Sequence, residues 1–286
     1  MEAFLSREVA RELVRYQLIR CRELAGKTQK EAATKLGTSQ AYYAQFENSQ
    51  GNKRRPDQEK LSILLEFFGA PDRIPILSEV LEIARSSMSG GKYSISNLIS
   101  DIELYLALEH FATSLDVYEP NVVNGLLQTP EYARATVDYA ATINPDFDAD
   151  TALDLRMQRQ LLLERKPSPL KLTMYVEEAV FTRPVGGVDV LHGQLLHLLK
   201  RRHNVMIRVI PQATVMRPTG GRPLGLMRFT DQWRVGYAET PISSYYYDAP
   251  GTIEQCGTIM GHLHHIALGA DESRRLIDRH RQQVGA

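Results

Sequence analysis

The stretch Thr28-Gln29-Lys30-Glu31-Ala32-Ala33-Thr34-Lys35-Leu36-Gly37-Thr38-Ser39-Gln40-Ala41-Tyr42-Tyr43-Ala44-Gln45-Phe46-Glu47-Asn48 decides how the N-terminal part of this chain is read. Thr28 is a good N-cap for a helix from Gln29 to Leu36, and Glu31 adds negative charge to its first turn. Ala32, Ala33 and Leu36 form the inner face of that helix. Gly37 makes a break. Ser39 or Thr38 then caps a short helix running to about Asn48, with Tyr43 and Phe46 facing inward.

Working outward, Val14, Leu18, Cys21 and Ala25 recur at spacings of 4, 3 and 4, which is one helix face. Gly26 ends that helix, because glycine tolerates the left-handed position beyond a helix terminus. Downstream, Asn48-Ser49-Gln50-Gly51-Asn52-Lys53-Arg54-Arg55-Pro56 reads as a polar loop. Pro56 suits the start of a fourth helix carrying Leu61, Leu64, Leu65 and Phe68. A fifth begins after Pro75, with Leu77, Val80, Leu81 and Ala84. Residues 1–85 are thus expected to form an all-α domain of five helices.

Size and composition agree with a folded chain of two domains. It has 286 residues, 43% hydrophobic and 24% charged, which excludes a disordered polymer. The formal net charge is +0, yet residues 1–60 hold 12 Lys/Arg against 8 Asp/Glu. That excess has the sign expected of a nucleic-acid module. Two cysteines, Cys21 and Cys256, allow no disulfide framework or cysteine-based metal site. No apolar run approaches the ~18 residues of a membrane span, and the N-terminus has no apolar signal core. A cytoplasmic location is the expectation.

The residues Thr28-Gln29, Ala33, Gly37, Ser39-Gln40 and Phe46-Glu47-Asn48 resemble, at their spacing, the XRE family of lambda-repressor-like helix-turn-helix regulators. The resemblance spans roughly residues 10–70. It implies a double-stranded DNA operator as partner, with the second helix of the motif in the major groove, where base pairs are distinguishable. Gln40, Ala41, Tyr42 and Gln45 then face base edges. Gln29, Asn48, Lys53, Arg54 and Arg55 meet phosphates, which gives affinity without sequence information. Arg22 and Glu47 match a structural salt bridge that fixes the recognition helix. The chain departs from the family at Lys27, where an apolar residue is usual, at Ala41-Tyr42, where a polar-basic pair is common, and in its longer loop.

Ser86-Ser-Met-Ser-Gly-Gly-Lys92 marks a linker, taken as 86–95, and the rest, 96–286, reads as an α+β domain. Helices are expected near 96–114, 130–142 and 150–165, around Leu191–Leu199 and over 252–268. Strands are expected at 171–176, 205–211, 224–229, 233–238 and 243–247. Three segments, Tyr118–Arg134, Glu177–Gly187 and Asn204–Pro211, resemble the C-terminal domain of a large group of actinobacterial helix-turn-helix regulators. That resemblance implies an antitoxin-like regulator, modulated by a small protein partner encoded nearby, and brings no catalytic residues. Structural roles are the first reading of these segments, and a ligand or partner groove lined by Glu177, Glu178 and Arg183 is the alternative.

No phosphate loop or nucleophile elbow occurs, and His262-x-His264-His265 lacks the glutamate of a zinc-protease helix. The chain is therefore read as a non-enzyme with no metal and no cofactor, and as a homodimer joined through residues beyond the linker, the Tyr245-Tyr246-Tyr247 strand among them. Two other functions stay open. One is a repressor gated by a small molecule in the C-terminal domain. The other is a metal-dependent enzyme fused to a DNA-binding module.

Overall fold

The computed structural model describes residues 7–48, 54–85, 101–144, 147–229, 233–240 and 243–284. The expected linker and Lys53 lie outside them. The chain divides into two compact units. The first is Met1–Ala112 with Phe229–Trp233, and the second is Thr113–Arg228 with Arg234–Ala286.

The first unit is helical. It holds α1 (Arg7–Leu24), α2 (Gln29–Lys35), α3 (Gln40–Glu47), α4 (Gln58–Phe67), α5 (Ile74–Arg85) and α6 (Asp101–Phe111). Local chemistry sets the boundaries. At the end of α1, the amide of Lys27 donates to the Arg22 carbonyl at 3.0 Å and that of Gly26 to Glu23 at 2.9 Å. This is a Schellman stop, and it requires the left-handed φ of +63° at Gly26. Gly37 closes α2 in the same way, through Thr38 to Ala33 and Gly37 to Thr34. Thr28 and Glu31 complete a reciprocal capping box at the start of α2. Asp57, not Pro56, caps α4, its carboxylate accepting from the Lys60 amide at 2.8 Å. Leu13, Leu18, Tyr43, Leu61, Leu64, Leu65, Leu77 and Leu81 make the core.

Helix α6 belongs to this unit by its contacts, whereas sequence alone groups it with the downstream α+β domain. Arg73 pairs with Glu103 at 2.8 Å, the Arg15 guanidinium lies 5.0 Å from the Phe111 ring centre, and Tyr16 meets His110 edge-on.

The second unit is α+β, as expected. A six-stranded sheet runs in the order β3-β2-β1-β4-β5-β6. Its strands are β1 (Ser114–Glu119), β2 (Lys171–Glu177), β3 (Val205–Ile210), β4 (Leu224–Arg228), β5 (Arg234–Thr240) and β6 (Ser243–Tyr247). β1, β2 and β3 pair in parallel, and β1 also pairs antiparallel with β4, from which β5 and β6 continue as a meander. Parallel pairing demands long crossovers. Helices α7 (Pro130–Ile143) and α8 (Ala149–Gln160) fill the first, and α9 (Val188–Leu198) the second. Helices α10 (Pro250–Ile266) and α11 (Ala270–Val284) complete the unit.

The central strand β1 and helix α11 are absent from the sequence reading. β1 alternates only partly: Leu115, Val117 and Tyr118 are buried, so neighbouring residues on both faces are apolar. Tyr118, Tyr175, Ile210 and Leu226 pack under α10 through Ile253, Cys256, Met260 and Leu263. Gly236 lets α10 come close, since a Cβ there would lie 3.0 Å from the Cys256 sulfur.

Gly186 combines two constraints. Its φ is +74°, and an added Cβ would stand 2.9 Å from that of Ala135 and 3.0 Å from a Val190 methyl. Gly221 has a similar φ of +75° but open space around it. Gly186→Ala is expected to cost about 2–4 kcal/mol, the sum of handedness and overpacking, and Gly221→Ala about 1–2 kcal/mol. Urea unfolding of both variants checks the order; equal losses would show that handedness alone acts at Gly186.

Candidate nucleic-acid interface

The helix-turn-helix is α2, the Gly37 turn and α3. One carboxylate holds it together. Glu47, at the end of α3, accepts from Arg22 Nε at 2.7 Å and Nη2 at 2.9 Å, from Gln29 Nε2 at 2.8 Å and from the Tyr43 hydroxyl at 2.6 Å. The Arg22 and Glu47 side chains are only 12% and 4% exposed, so the pair is shielded from water. Arg22 also donates to the Lys27 carbonyl at 2.9 Å, in the turn before α2. The bond to Glu47 raises the Arg22 pKa, and burial, then the Glu47 charge, pushes the Tyr43 phenol far above its usual range.

This lock fixes which side of α3 faces outward. Tyr43, Phe46 and Glu47 are buried; Gln40, Ala41 and Asn48 are exposed; Tyr42, Ala44 and Gln45 are half-buried. Residues 40, 41, 44, 45 and 48 therefore make one stripe along the helix. The Gln45 amide oxygen is buried with no hydrogen-bond partner among the described residues. Tyr42 sits between Phe46, edge-on at 5.4 Å, and the Arg54 guanidinium, 4.7 Å from its ring centre.

The basic residues beyond α3 differ in what they do. Arg54 is exposed apart from its stacking on Tyr42. Arg55 is half-buried and donates to the Ala84 carbonyl in the last turn of α5. Burial and the nearby Arg11, Arg7 and Arg85 lower its pKa. Arg85 answers by donating to the Pro56 carbonyl at 3.2 Å. Gln29 likewise spends its side-chain amide on Glu47. Sequence reasoning passed over Tyr43 as a polar partner, although its spacing of one helical turn from Glu47 is a readable signal.

Two family models match. One, described as a helix-turn-helix, covers residues 18–73. The other, described as "Domain of unknown function (DUF5753)", covers residues 102–279, more than half of the chain. The chain belongs to the DUF5753 family. With its XRE-type helix-turn-helix it is a DNA-binding regulator of transcription. The comparison with curated proteins finds no match, and neither does that with solved structures.

In the DUF5753 domain, Glu177, Glu178 and Arg183, which the alternative reading places in a groove, make internal hydrogen bonds. Glu177, at the end of β2, accepts from the Tyr118 hydroxyl at 2.7 Å and from Arg217 at 2.9 and 2.6 Å. Glu178 accepts from the Gln212 amide at 2.8 Å and faces His280 at 2.9 Å. Arg183 donates to the Asn121 carbonyl at 3.1 Å. These bonds join the ends of β1 and β2 to the loop after β3 and to α11. Arg217 gave no local sequence signal, because its partner is 40 residues away. On α10, His262 and His265 are exposed, while His264 Nδ1 meets Arg208 and lies 3.2 Å from the Tyr175 hydroxyl. No three His, Cys, Asp or Glu side chains form a metal-binding group among the described residues. No described helix is long and apolar enough to cross a membrane. Tyr245 stands opposite Ala238, and Tyr246 opposite Tyr237 with ring centres 5.2 Å apart.

Tyr43→Phe removes one donor from Glu47 and should cost about 1.5–3 kcal/mol near neutral pH. A phenol whose folded pKa is raised stabilises the fold fully below about pH 10. The contribution is then lost as pH climbs toward the folded value. The gap between the parent chain and the variant should therefore narrow above about pH 10. The single tryptophan, Trp233, lies in the first unit and reports its unfolding in urea. A gap unchanged at pH 11 would mean that the phenol is not held neutral by Glu47.

Proposed function

We propose that the chain binds one operator sequence-specifically as a homodimer, needs no cofactor and catalyses no reaction. The observation that carries this is the outward stripe on α3, held rigid by the Glu47 lock. Gln40 and Gln45 lie on it, and glutamine can pair bidentately with adenine. Ala41 offers an apolar contact to a thymine methyl, and Tyr42, braced by Arg54, borders it. The buried, unpartnered oxygen of Gln45 is a tension that swinging out to a base would relieve.

Phosphate contacts fall to Asn48, Lys53 and Arg54, and to the α2 start at Gln29. Arg55 is better placed to hold the loop against α5 than to meet DNA. The DUF5753 domain serves dimerisation and docking of a small protein partner encoded nearby, in the antitoxin-like manner implied by the resemblance to actinobacterial regulators. A cytoplasmic location suits a DNA-binding chain with two buried, free cysteines.

An operator recovered by selection from random duplexes allows the test. Gln40→Ala should lose about 1–3 kcal/mol on that operator and almost nothing on random DNA. Arg54→Ala should weaken both and lower the salt slope by about 1 for each protomer bound. Arg55→Ala should lower stability and leave the slope alone. Equal losses on both DNAs for Gln40→Ala would remove it from base reading, and a slope moved by Arg55 rather than Arg54 would reverse the two roles.

Dimerisation is the second expectation. One helix-turn-helix reads few base pairs, and paired half-sites about 10 base pairs apart supply the rest. Sedimentation of the full chain at micromolar concentration should give a dimer, and footprints should cover two half-sites. A monomer that protects a single half-site would refute the dimeric reading.

A further inference from the structure

Phe67 ends α4 half-buried, with two ammonium groups near its ring. The Lys27 ammonium lies 5.2 Å from its centre and that of Lys35 5.9 Å away. The ring and four residues of α2, Lys30, Glu31, Thr34 and Lys35, line an open recess of about 550 Å³. That volume falls within the range of pockets that receive small ligands or side chains.

The polar groups of the recess are unevenly satisfied. Glu31, its one carboxylate, is turned to the N-terminus of α2, where it accepts from the Thr28 amide at 2.8 Å and hydroxyl at 2.7 Å. The Thr34 hydroxyl donates back to the Lys30 carbonyl at 2.9 Å. Lys27, Lys30 and Lys35 form no ion pair among the described residues. The result is an aromatic floor walled by Lys30 and Lys35, with Lys27 close to the ring and Glu31, engaged by the Thr28 cap, as the one carboxylate. No lining residue lies on α3.

We propose that this recess docks an acidic segment of a partner protein. An aliphatic or aromatic side chain of the segment packs on Phe67, and its flanking carboxylates meet Lys30 and Lys35. Charge complementarity selects the occupant, and the aromatic floor separates it from DNA. A phosphate backbone would satisfy the lysines but brings no apolar group to cover the ring, whereas an acidic peptide with one apolar anchor does both. The docking surface would lie on the DNA-binding unit itself, on residues other than those of the α3 stripe.

The probe is a fluorescein-labelled peptide of ten residues, Asp and Glu around a central Leu-Phe pair, titrated with the full chain at low salt. One control peptide carries Asn and Gln for the acids, and another carries Ser for the Leu-Phe pair. Both controls should bind at least tenfold more weakly than the probe. Lys30→Gln/Lys35→Gln should weaken probe binding at least tenfold and Phe67→Ala at least fivefold, with binding to random duplex DNA and its salt slope unchanged. The lysine variant alters only surface ammonium groups, so it decides the matter even if Phe67→Ala folds poorly. No binding of the probe, or binding indifferent to the lysine changes, would overturn the proposal. A salt slope on random DNA reduced by about 2 would also overturn it, by making the recess a phosphate contact.

Discussion

The carboxylate of Glu47 takes hydrogen bonds from side chains on three helices: Arg22 of α1, Gln29 of α2 and Tyr43 of α3 itself. A buried carboxylate of this kind is a constraint more than a source of stability. Its desolvation is costly, and only a full set of donors offsets it. Any slip of α3 against α1 or α2 would strip donors from a shielded charge. The orientation of α3 is therefore sharply defined, although the helix is two turns long and buries only Tyr43, Phe46 and Glu47. Short helices have little intrinsic stability. Here the lock at one end and the Ser39 cap at the other substitute for length.

Much of this half of the molecule could be read in the sequence, because its punctuation is local. Gly26, Gly37, Thr28 and Ser39 act within four or five residues of themselves, and each does in the structure what its type permits. The α4 helix starts two residues after Pro56, because the Asp57 carboxylate reaches the Lys60 amide and caps it, a signal that a proline-based rule overlooks. The DUF5753 domain was harder. Its central strand is flanked on both sides, by β2 and β4, and buried on both faces, so the alternation that betrays a half-exposed strand is blurred. Helix α11 has the opposite character. Ser273, Leu276 and Ile277 are its only buried residues, too few to stand out among its charges.

The candidate interface divides along the same line. The pairing of Glu47 with Arg22 follows from the resemblance, whereas the bonds of Tyr43 and Gln29 to the same carboxylate emerge only from the fold. In the second unit, Glu177 and Glu178 stood out as neighbouring acids after a strand, a pattern that suits a groove as well as it suits a scaffold. The distinction lies in Arg217, Gln212 and His280, which come from distant parts of the chain. No local pattern announces that a carboxylate's partner is 40 residues downstream.

Charge counting shows the limit most clearly. The basic excess over residues 1–60 suggests a positive surface, yet the arginines contribute unequally to it. Arg22 is neutralised by Glu47, Arg15 by Glu12, and Arg55 is drawn inward to a helix-end carbonyl. Among the described basic residues of this stretch, Arg54, stacked on Tyr42 beside the stripe of α3, and Lys30 and Lys35 on α2 stay exposed. Arg22 and Arg55 stand where a planar fork can grip a carboxylate or carbonyl, and Lys30 and Lys35 where a mobile point charge faces solvent. The exposed basic residues described in this stretch therefore fall at two places, one beside α3 and one on α2. An anionic partner is drawn to either. What it finds there separates the two: the outward side-chain amides of α3 at the first, an aromatic ring at the second.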